Sequence, residues 1–171
     1  MVPLALGLAT ACGSDDDAKP KTTAETTRAG QTGGTPAASE TRSPSSDSTP
    51  ELEEIFNNGN IKGVTNQPTI PTTFTIDESR FIYSINDYHW NGGQGKTPGT
   101  IGLKAEDGTE YGPWETEGMP GQGGAPDAYW ICHPGIEIPA GTYTIIDSDP
   151  ATWARNPDSN GAGFSQVIAE K

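Results

Sequence analysis

The segment from residue 13 to residue 50 lacks the large apolar residues that build a hydrophobic core. It contains no Val, Ile, Leu, Phe, Tyr or Trp, and consists mostly of Thr, Ser, Ala, Gly, Pro and charged residues. Such a segment cannot bury enough apolar surface to offset the entropy lost when a chain becomes ordered. We therefore predict a disordered tether here and a folded domain over residues 51–171, where aromatic and β-branched residues return.

The predicted domain is strongly acidic. Residues 51–171 contain 17 acidic and 6 basic residues, which gives a net charge of −11. Phosphate backbones would be repelled by this charge, and the sequence has no basic stretch to compensate for it. We therefore expect no nucleic-acid partner. Solubility alone can explain the acidic composition, and cation binding is the alternative.

The first eleven residues indicate export. Residues 2–11 are apolar or small throughout, and they are too few to span a bilayer, which takes about 20 residues in a helix. Their length is typical of the apolar region of an export signal, and Ala9 and Ala11 are small enough for a signal peptidase. Cys12 follows directly, and the run "GSDDD" follows Cys12.

The segment Ala9-Thr10-Ala11-Cys12 resembles the lipobox of bacterial lipoproteins. In that family the cysteine becomes the first residue of the mature chain, and its thiolate takes a diacylglycerol. The resemblance implies a signal peptide over residues 1–11 and a lipidated Cys12 that begins a linker reaching residue 50. It also implies an extracytoplasmic protein whose lipid anchor holds it to the bacterial membrane or cell surface.

Short alternating segments dominate the sequence after residue 70 and predict strands. They lie at residues 72–76, 80–87, 100–105, 127–133, 141–147 and 164–169, and Gly, Pro and Asp separate them. Asp107-Gly108 is a strong signal for a hairpin turn after the third of these segments. About seven or eight short strands with this spacing predict an all-β fold, an antiparallel β-sandwich or jelly-roll-like domain.

Alternation also predicts which side chains share a face. In the segment 80–87 we expect Phe81, Tyr83 and Ile85 on one face and Ile82 on the other. Two segments favour helical structure instead. Residues 50–60 begin with acidic residues and end with Asn-Gly, which is typical of a two-turn helix, and Asp149-Pro150 is typical of a single helical turn.

The folded region resembles an uncharacterised bacterial secreted β-domain. The resemblance covers residues 55–164. It rests on "IFNNGNIKGVTNQPTIPTTFTI", "DYHWNGGQGKTPGTIGLK", "YGPW", "GQGGAPDAYW" and "IPAGTYTIIDSDPATWARN". It implies an extracellular module that occurs alone or at the end of longer surface proteins. The family has no assigned activity, so the resemblance transfers no catalytic residue.

Aromatic residues beside glycine-rich loops predict a ligand site. Tyr88, His89 and Trp90 precede the loop "NGGQG", and Trp114 ends a predicted strand. Aromatic rings at a loop can stack on sugar rings, and Tyr and Trp add a polar group. We therefore expect a noncovalent binding or accessory module for carbohydrate or another cell-envelope ligand. The alternative is that Trp90 packs in the core and the glycines only turn the chain.

The pair Asp147 and Asp149 is a candidate Ca²⁺ site, because hard cations bind carboxylate oxygens. Hard cations usually take six or more oxygen ligands, and the sequence provides only these two at suitable spacing. An Asx turn followed by a helix cap is the alternative interpretation. We expect no other cofactor.

An enzyme is the second class of function that we consider. The sequence lacks the G-x-S-x-G nucleophile elbow and the glycine fingerprints of nucleotide sites. Cys132 and His133 are neighbours on a predicted strand and point to opposite faces, so we expect Cys132 to be a small buried side chain. A hydrolase that uses Asp or Glu with His89 on an extracellular polymer is the alternative to a binding module. A role as a spacer for other proteins is a third possibility.

Overall fold

A computed structural model describes residues 49–171. The predicted signal peptide, Cys12 and residues 13–48 of the predicted linker lie outside the described residues. Within residues 49–171 the secondary structure consists of antiparallel strands and three short 3₁₀ turns, at Asn91–Gly93, Gln122–Gly124 and Pro157–Ser159. The twelve strands are β1 (Leu52–Asn57), β2 (Thr65–Asn66), β3 (Thr73–Ile76), β4 (Arg80–Tyr88), β5 (Thr100–Ala105), β6 (Glu110–Glu115), β7 (Glu117–Met119), β8 (Tyr129–Cys132), β9 (Ile136–Ile138), β10 (Gly141–Asp147), β11 (Ala154–Arg155) and β12 (Ser165–Glu170).

The strands form two main sheets and one short ribbon. The six-stranded sheet has the order β1-β12-β4-β8-β7, and β9 pairs with the first half of β4. The four-stranded sheet has the order β3-β10-β5-β6, and β2 pairs with β11. All of these pairings are antiparallel. The predicted all-β, sandwich-like fold is therefore confirmed.

The hydrophobic core takes alternate side chains from both sheets. Strand side chains alternate between two faces, so each strand gives every second residue to the core. The six-stranded sheet contributes Ile82, Ile85, Trp130, Cys132 and Val167, and the four-stranded sheet contributes Phe74, Ile101, Leu103, Tyr143 and Ile145. The intervening residues of the six-stranded sheet form its outer face, which carries the candidate site.

Strand β4 departs from strict alternation. Ile82 and Ile85 are both fully buried, although an odd number of steps separates them. The pairing with β12 explains this, because Ala169 lies opposite Ile82 while Ile168 lies opposite Ser84. Tyr83 is therefore the extra residue of a β-bulge. The predicted grouping of Phe81 and Tyr83 with Ile85 is wrong, since the first two face outward and Ile85 faces the core.

The predicted helix at residues 50–60 is also wrong. Leu52–Asn57 is a strand that pairs with β12 at the edge of the six-stranded sheet. Ile55 and Phe56 are half-buried and pack against the core. The pairing with a neighbouring strand and this partial burial override the local helix signals, which are weak over so few residues.

Two predicted turns are confirmed. The amide of Gly108 donates to the carbonyl of Ala105 at 2.9 Å in the hairpin that joins β5 and β6. Gly108 has a φ of 90°, a conformation that glycine adopts without steric cost. After β10 the amide of Thr152 donates to the carbonyl of Asp149 at 3.1 Å, which closes the single turn predicted there.

Candidate functional site

A groove lies on the outer face of the six-stranded sheet, near the end of β4. Its volume is about 290 Å³. Aromatic rings line one side, amide side chains line the floor, and the loop after β1 forms a wall. We call it the Tyr88 groove. None of the residues that line it carries a charge.

Tyrosine rings form one side of the Tyr88 groove. Tyr88 on β4 lies directly opposite Tyr129 on β8, and their ring centroids are 4.6 Å apart at an interplanar angle of 41°. The amide of Gln122 donates to the Tyr88 hydroxyl at 3.2 Å. Burial raises the pKa of Tyr88, so its hydroxyl stays neutral well into the alkaline range. The pair therefore offers apolar ring surface with uncharged polar ends.

Trp90 extends this aromatic surface. Its ring is half-buried, and its Nε1–H donates to the carbonyl of Gln122 at 3.3 Å. Trp90 and Tyr88 line a second cavity of about 80 Å³. Ile61 borders this cavity and the Tyr88 groove, so the two openings are neighbours. Two of the predicted ligand residues, Tyr88 and Trp90, are thus brought together on one surface.

Amide side chains from three adjacent strands form the floor of the groove. Asn86 of β4 lies opposite Gln166 of β12, and Gln166 lies opposite Asn57 of β1. Glu54 accepts hydrogen bonds from Gln166 Nε2 at 2.6 Å and from Asn57 Nδ2 at 3.0 Å. The buried Oδ1 of Asn86 has no hydrogen-bond partner. An amide group both donates and accepts, which suits a ligand rich in hydroxyl groups.

The loop after β1 is held in place by asparagine side chains. Asn58 accepts from the amide of Ser165 at 2.8 Å and donates to the carbonyl of Gly163 at 2.9 Å. Asn60 and the buried Asn156 exchange two hydrogen bonds of 2.8 and 3.2 Å. These contacts fix a wall from which Ile61 projects with 93% of its surface exposed. A preformed wall lowers the entropic cost of binding.

The charge distribution in the domain disfavours anionic ligands. Five of the six basic residues of the domain form ion pairs with carboxylates: Lys62, Arg80, Lys96, Lys104 and Lys171. The sixth, Arg155, donates to the carbonyl of Gln67 at 2.7 Å. No basic side chain lines the Tyr88 groove. A phosphate or carboxylate ligand would meet a net negative domain without a cation to receive it.

His89 lies behind the surface. Its side chain has no exposed area, and its ring stacks on Trp130 with centroids 3.7 Å apart. Nε2 lies 2.9 Å from Asp147 Oδ2, and Nδ1 lies 2.9 Å from Thr152 Oγ1. Each ring nitrogen therefore has a hydrogen-bonding partner inside the protein. His89 therefore links β10 to the end of β4 and is not part of the surface that a ligand can reach.

Asp87, two residues before this histidine, is also fully buried. Its Oδ1 accepts a hydrogen bond of 2.5 Å from Ser165, while its Oδ2 has no partner. Burial raises the pKa of Asp87 well above the ordinary value, and the negative charge of Asp147 raises it further. A carboxyl group in this position keeps its proton to higher pH than an exposed one. We call Asp87, His89 and Asp147 the buried polar cluster.

The two candidate metal ligands, Asp147 and Asp149, have separate partners. Asp147 Oδ1 accepts from the amide of Asp149 at 2.7 Å, which is the Asx turn that the alternative interpretation predicted. Asp149 pairs with Lys96 at 2.6 Å, and this contact lowers the pKa of Asp149. Within residues 49–171 no three His, Cys, Asp or Glu side chains are grouped so that they could hold a metal ion. Calcium binding stays a prediction, which thermal melting with EDTA and then Ca²⁺ tests.

Trp114 and Cys132 lie away from the groove. Trp114 is half-buried on β6 of the four-stranded sheet, where it packs against the core. Cys132 is buried, as predicted, and burial raises the pKa of its thiol to about 12. The high pKa keeps the thiol protonated and unreactive at neutral pH.

A second groove lies on the outer face of the four-stranded sheet. It has a volume of about 380 Å³ and is lined by Ile146, Tyr111 and Pro113 among others. Tyr111 also packs against the core, and the ion pair between Lys104 and Glu110 borders the groove. This groove therefore lacks the pair of tyrosine rings and the row of amides that the Tyr88 groove provides.

The sequence predicted none of the amides of the groove floor and only one of its two tyrosine rings. Tyr129 follows from the alternation of β8, because it must point away from the core when its neighbours Ala128 and Trp130 point inward. Asn57, Asn86 and Gln166 gave no comparable signal. They meet only through the pairing of β1, β12 and β4, which joins segments far apart in the chain.

Comparisons of the chain with protein-family models, with curated proteins and with solved structures give no match. Residues 49–171 contain no helix that is long and apolar enough to cross a membrane. A functional assignment therefore depends on the geometry and chemistry of the site.

Proposed function

We propose that the β-domain is a noncovalent binding module for a neutral glycan, which it holds in the Tyr88 groove. The observation that supports this most directly is the arrangement of Tyr88 and Tyr129 beside the amides of Asn57, Asn86 and Gln166. Small ligand sites typically combine apolar and aromatic surface with a few placed polar groups. In this groove all of those polar groups are uncharged.

A sugar ring matches both parts of the groove. Its apolar C–H face can stack on a tyrosine ring, while its hydroxyl groups exchange hydrogen bonds with amides. The Oδ1 of Asn86 is buried beneath the floor. The exposed amide of Asn57 and the half-buried amide of Gln166 are therefore the groups that a ligand hydroxyl can reach. Because the wall around Asn58 and Asn60 is preformed, little ordering is needed when the ligand binds.

The alternative of a carboxylate-dependent hydrolase has less support. The buried polar cluster brings two carboxyl groups and a histidine together, and one carboxyl group has a raised pKa. However, Asp87 and His89 have no exposed surface, and the cluster lines neither of the two outer-face grooves nor the cavity beside Trp90. A general acid must reach the substrate, and this cluster has no such access. A structural role fits it better.

We further propose that Cys12 anchors the domain to a bacterial membrane. Two acyl chains anchor a protein stably, whereas one chain binds only marginally. A flexible linker of the predicted length has a coil dimension of roughly 30–35 Å. The domain would then search for a glycan within that distance of the membrane. Palmitate labelling tests the anchor: label on the wild type and none on Cys12→Ala is expected, and equal labelling would contradict it.

A glycan array with the purified full chain, with and without Ca²⁺, tests the binding function. We expect binding to neutral glycans and none to acidic ones. Titration calorimetry with the strongest ligand should show weaker binding for Tyr88→Ala and Tyr129→Ala. Ile146→Ala is the control, since Ile146 is exposed on the opposite sheet. Equal affinities for wild type, Tyr88→Ala and Tyr129→Ala would contradict the proposed site.

A further inference from the structure

We infer that the ligand is an extended linear glycan chain, which lies along β4 across the outer face of the six-stranded sheet. This inference depends on the proposed function and makes it more specific. It predicts a continuous ligand surface with a second aromatic position beyond the Tyr88 groove. The residues of that second position are Phe81 and Tyr83.

The outward residues of β4 form one row. Phe81 and Tyr83 are 37% and 39% exposed, and Asn86 and Tyr88 follow them along the strand. Strict alternation would place Tyr83 and Tyr88 on opposite faces of the sheet. The bulge at Tyr83 adds one residue, so both rings face outward. The bulge in β4 therefore places Phe81 and Tyr83 on the same face of the sheet as Tyr88 and Tyr129.

The row is long compared with a single sugar ring. Seven residue steps separate Phe81 from Tyr88, and one of them is the bulge. The remaining six steps, at about 3.3 Å per residue in a strand, give a length of about 20 Å. A monosaccharide in the Tyr88 groove would leave most of this length uncovered. Several consecutive sugar units are needed to reach from Tyr88 to Phe81.

The second aromatic position has a defined geometry. The rings of Tyr83 and His133 meet edge to face, with centroids 5.4 Å apart and an interplanar angle of 75°. His133 Nδ1 also lies 3.3 Å from the carbonyl oxygen of Tyr83. These contacts orient the tyrosine ring while much of its surface stays exposed. Half-buried Ile131 and Ile168 lie on the same outer face between the two aromatic positions.

The chemistry of the row favours a glycan over a protein chain. The strands beneath it pair with neighbours on both sides, so the backbone offers no free sheet edge to a peptide there. Ser84 and Asn86 supply polar groups between the rings, as a ligand with hydroxyl groups along its length requires. Glu54 and Glu117 lie on strands at the two sides and would repel acidic polysaccharides.

Titration calorimetry with oligosaccharides of two lengths tests the inference. The full chain is titrated with the disaccharide and the hexasaccharide of the cello-, xylo-, manno- and chito- series. We expect a hexasaccharide to bind at least about tenfold more tightly than its disaccharide. Tyr83→Ala and Phe81→Ala should each weaken hexasaccharide binding about fivefold or more and leave disaccharide binding unchanged. Tyr88→Ala should weaken both.

The controls separate this inference from the proposed function. Circular dichroism and thermal melting check that each variant folds, and Tyr83→Phe keeps the ring and should retain wild-type affinity. If Tyr88→Ala weakens binding while Tyr83→Ala and Phe81→Ala do not, the inference of an extended ligand is contradicted. The proposed binding in the Tyr88 groove is then still supported. If the wild-type chain binds none of these oligosaccharides, both proposals fail.

Discussion

His89 Nε2 lies 2.9 Å from Asp147 Oδ2, and neither side chain has any exposed surface. The contact joins the segment that follows β4 to β10 of the four-stranded sheet, so it connects the two main sheets through the core. A buried pair of this kind is costly to break, because the partner that remains is left without its hydrogen bond in a nonpolar environment.

Replacing His89 should destabilise the domain strongly. His89→Ala leaves the carboxylate of Asp147 buried without its main partner and removes the ring that stacks on Trp130. We expect the free energy of unfolding to fall by about 3–5 kcal/mol in urea denaturation. His133→Ala is the matched control, since His133 is exposed, and it should change stability by about 0.5 kcal/mol or less. Similar losses for the two variants would contradict the role assigned to His89.

The stability of the domain should depend on pH through Asp87. The folded-state pKa of Asp87 is raised, so the folded chain holds this proton more tightly than the unfolded chain does. The resulting stability is fully present below the ordinary pKa of about 3.9 and is lost as pH rises through the raised value. Asp87→Asn mimics the protonated carboxyl group and should remove this dependence.

Urea denaturation between about pH 4 and pH 8 measures this effect. At the alkaline end Asp87→Asn should be more stable than the wild type by about 1–3 kcal/mol, and the difference should shrink on acidification. Asp77→Asn is the control because Asp77 is exposed. A difference between wild type and Asp87→Asn that does not change with pH would contradict the raised pKa.

Two glycines near Trp90 should differ in their tolerance of a side chain. Both have positive φ values, 68° at Gly92 and 62° at Gly95. A Cβ at Gly95 would lie 1.5 Å from the carbonyl oxygen of Pro126, whereas a Cβ at Gly92 would have no atom within 4 Å. Gly92→Ala should therefore cost only the strain of its backbone conformation, about 1–2 kcal/mol.

Gly95→Ala should cost about 3 kcal/mol or more, because overpacking adds to that strain. Thermal melting of the two variants measures the contrast. Equal melting temperatures would mean that the loop after Trp90 does not pack closely against Pro126. The prediction therefore tests the local structure that positions Trp90 beside the Tyr88 groove.

The thiol of Cys132 should be unreactive in the folded protein. It is buried, and its pKa of about 12 leaves almost no thiolate at pH 8. In a Cys12→Ala background Cys132 is the only thiol. We expect no reaction with a disulfide reagent under native conditions and full reaction in guanidinium chloride. His133→Cys places a thiol at the exposed neighbouring position and should react at once; rapid reaction of native Cys132 would contradict its burial.

The regular strands were predictable because the alternation of apolar and polar residues in their sequence matches the alternation of buried and exposed positions. In β8 and the residue before it, the apolar residues Ala128, Trp130 and Cys132 alternate along the sequence, and these are the buried positions. The bulge at Tyr83 was not predictable, because it depends on the register between β4 and β12. The strand at Leu52–Asn57 was missed for the same reason, since its pairing partner lies at the other end of the domain.

The candidate site was predicted only in part. Tyr88 and Trp90 could be found because aromatic residues beside glycines are recognisable in a sequence. His89 has the same neighbours, yet the direction of its side chain at the end of β4 places it in the core. Strand pairing alone forms the row of Asn57, Asn86 and Gln166. A single sequence does not indicate which amide side chains become neighbours in this way.

We expect a neutral glycan to bind the outer face of the six-stranded sheet. Backbone amide NMR of the isotopically labelled full chain, titrated with the hexasaccharide that binds most tightly, tests it most directly. The largest chemical-shift changes should occur at Tyr83, Asn86, Tyr88, Tyr129 and Gln166. Changes confined to the four-stranded sheet around Tyr111 and Ile146, or no changes at a saturating concentration, would contradict it.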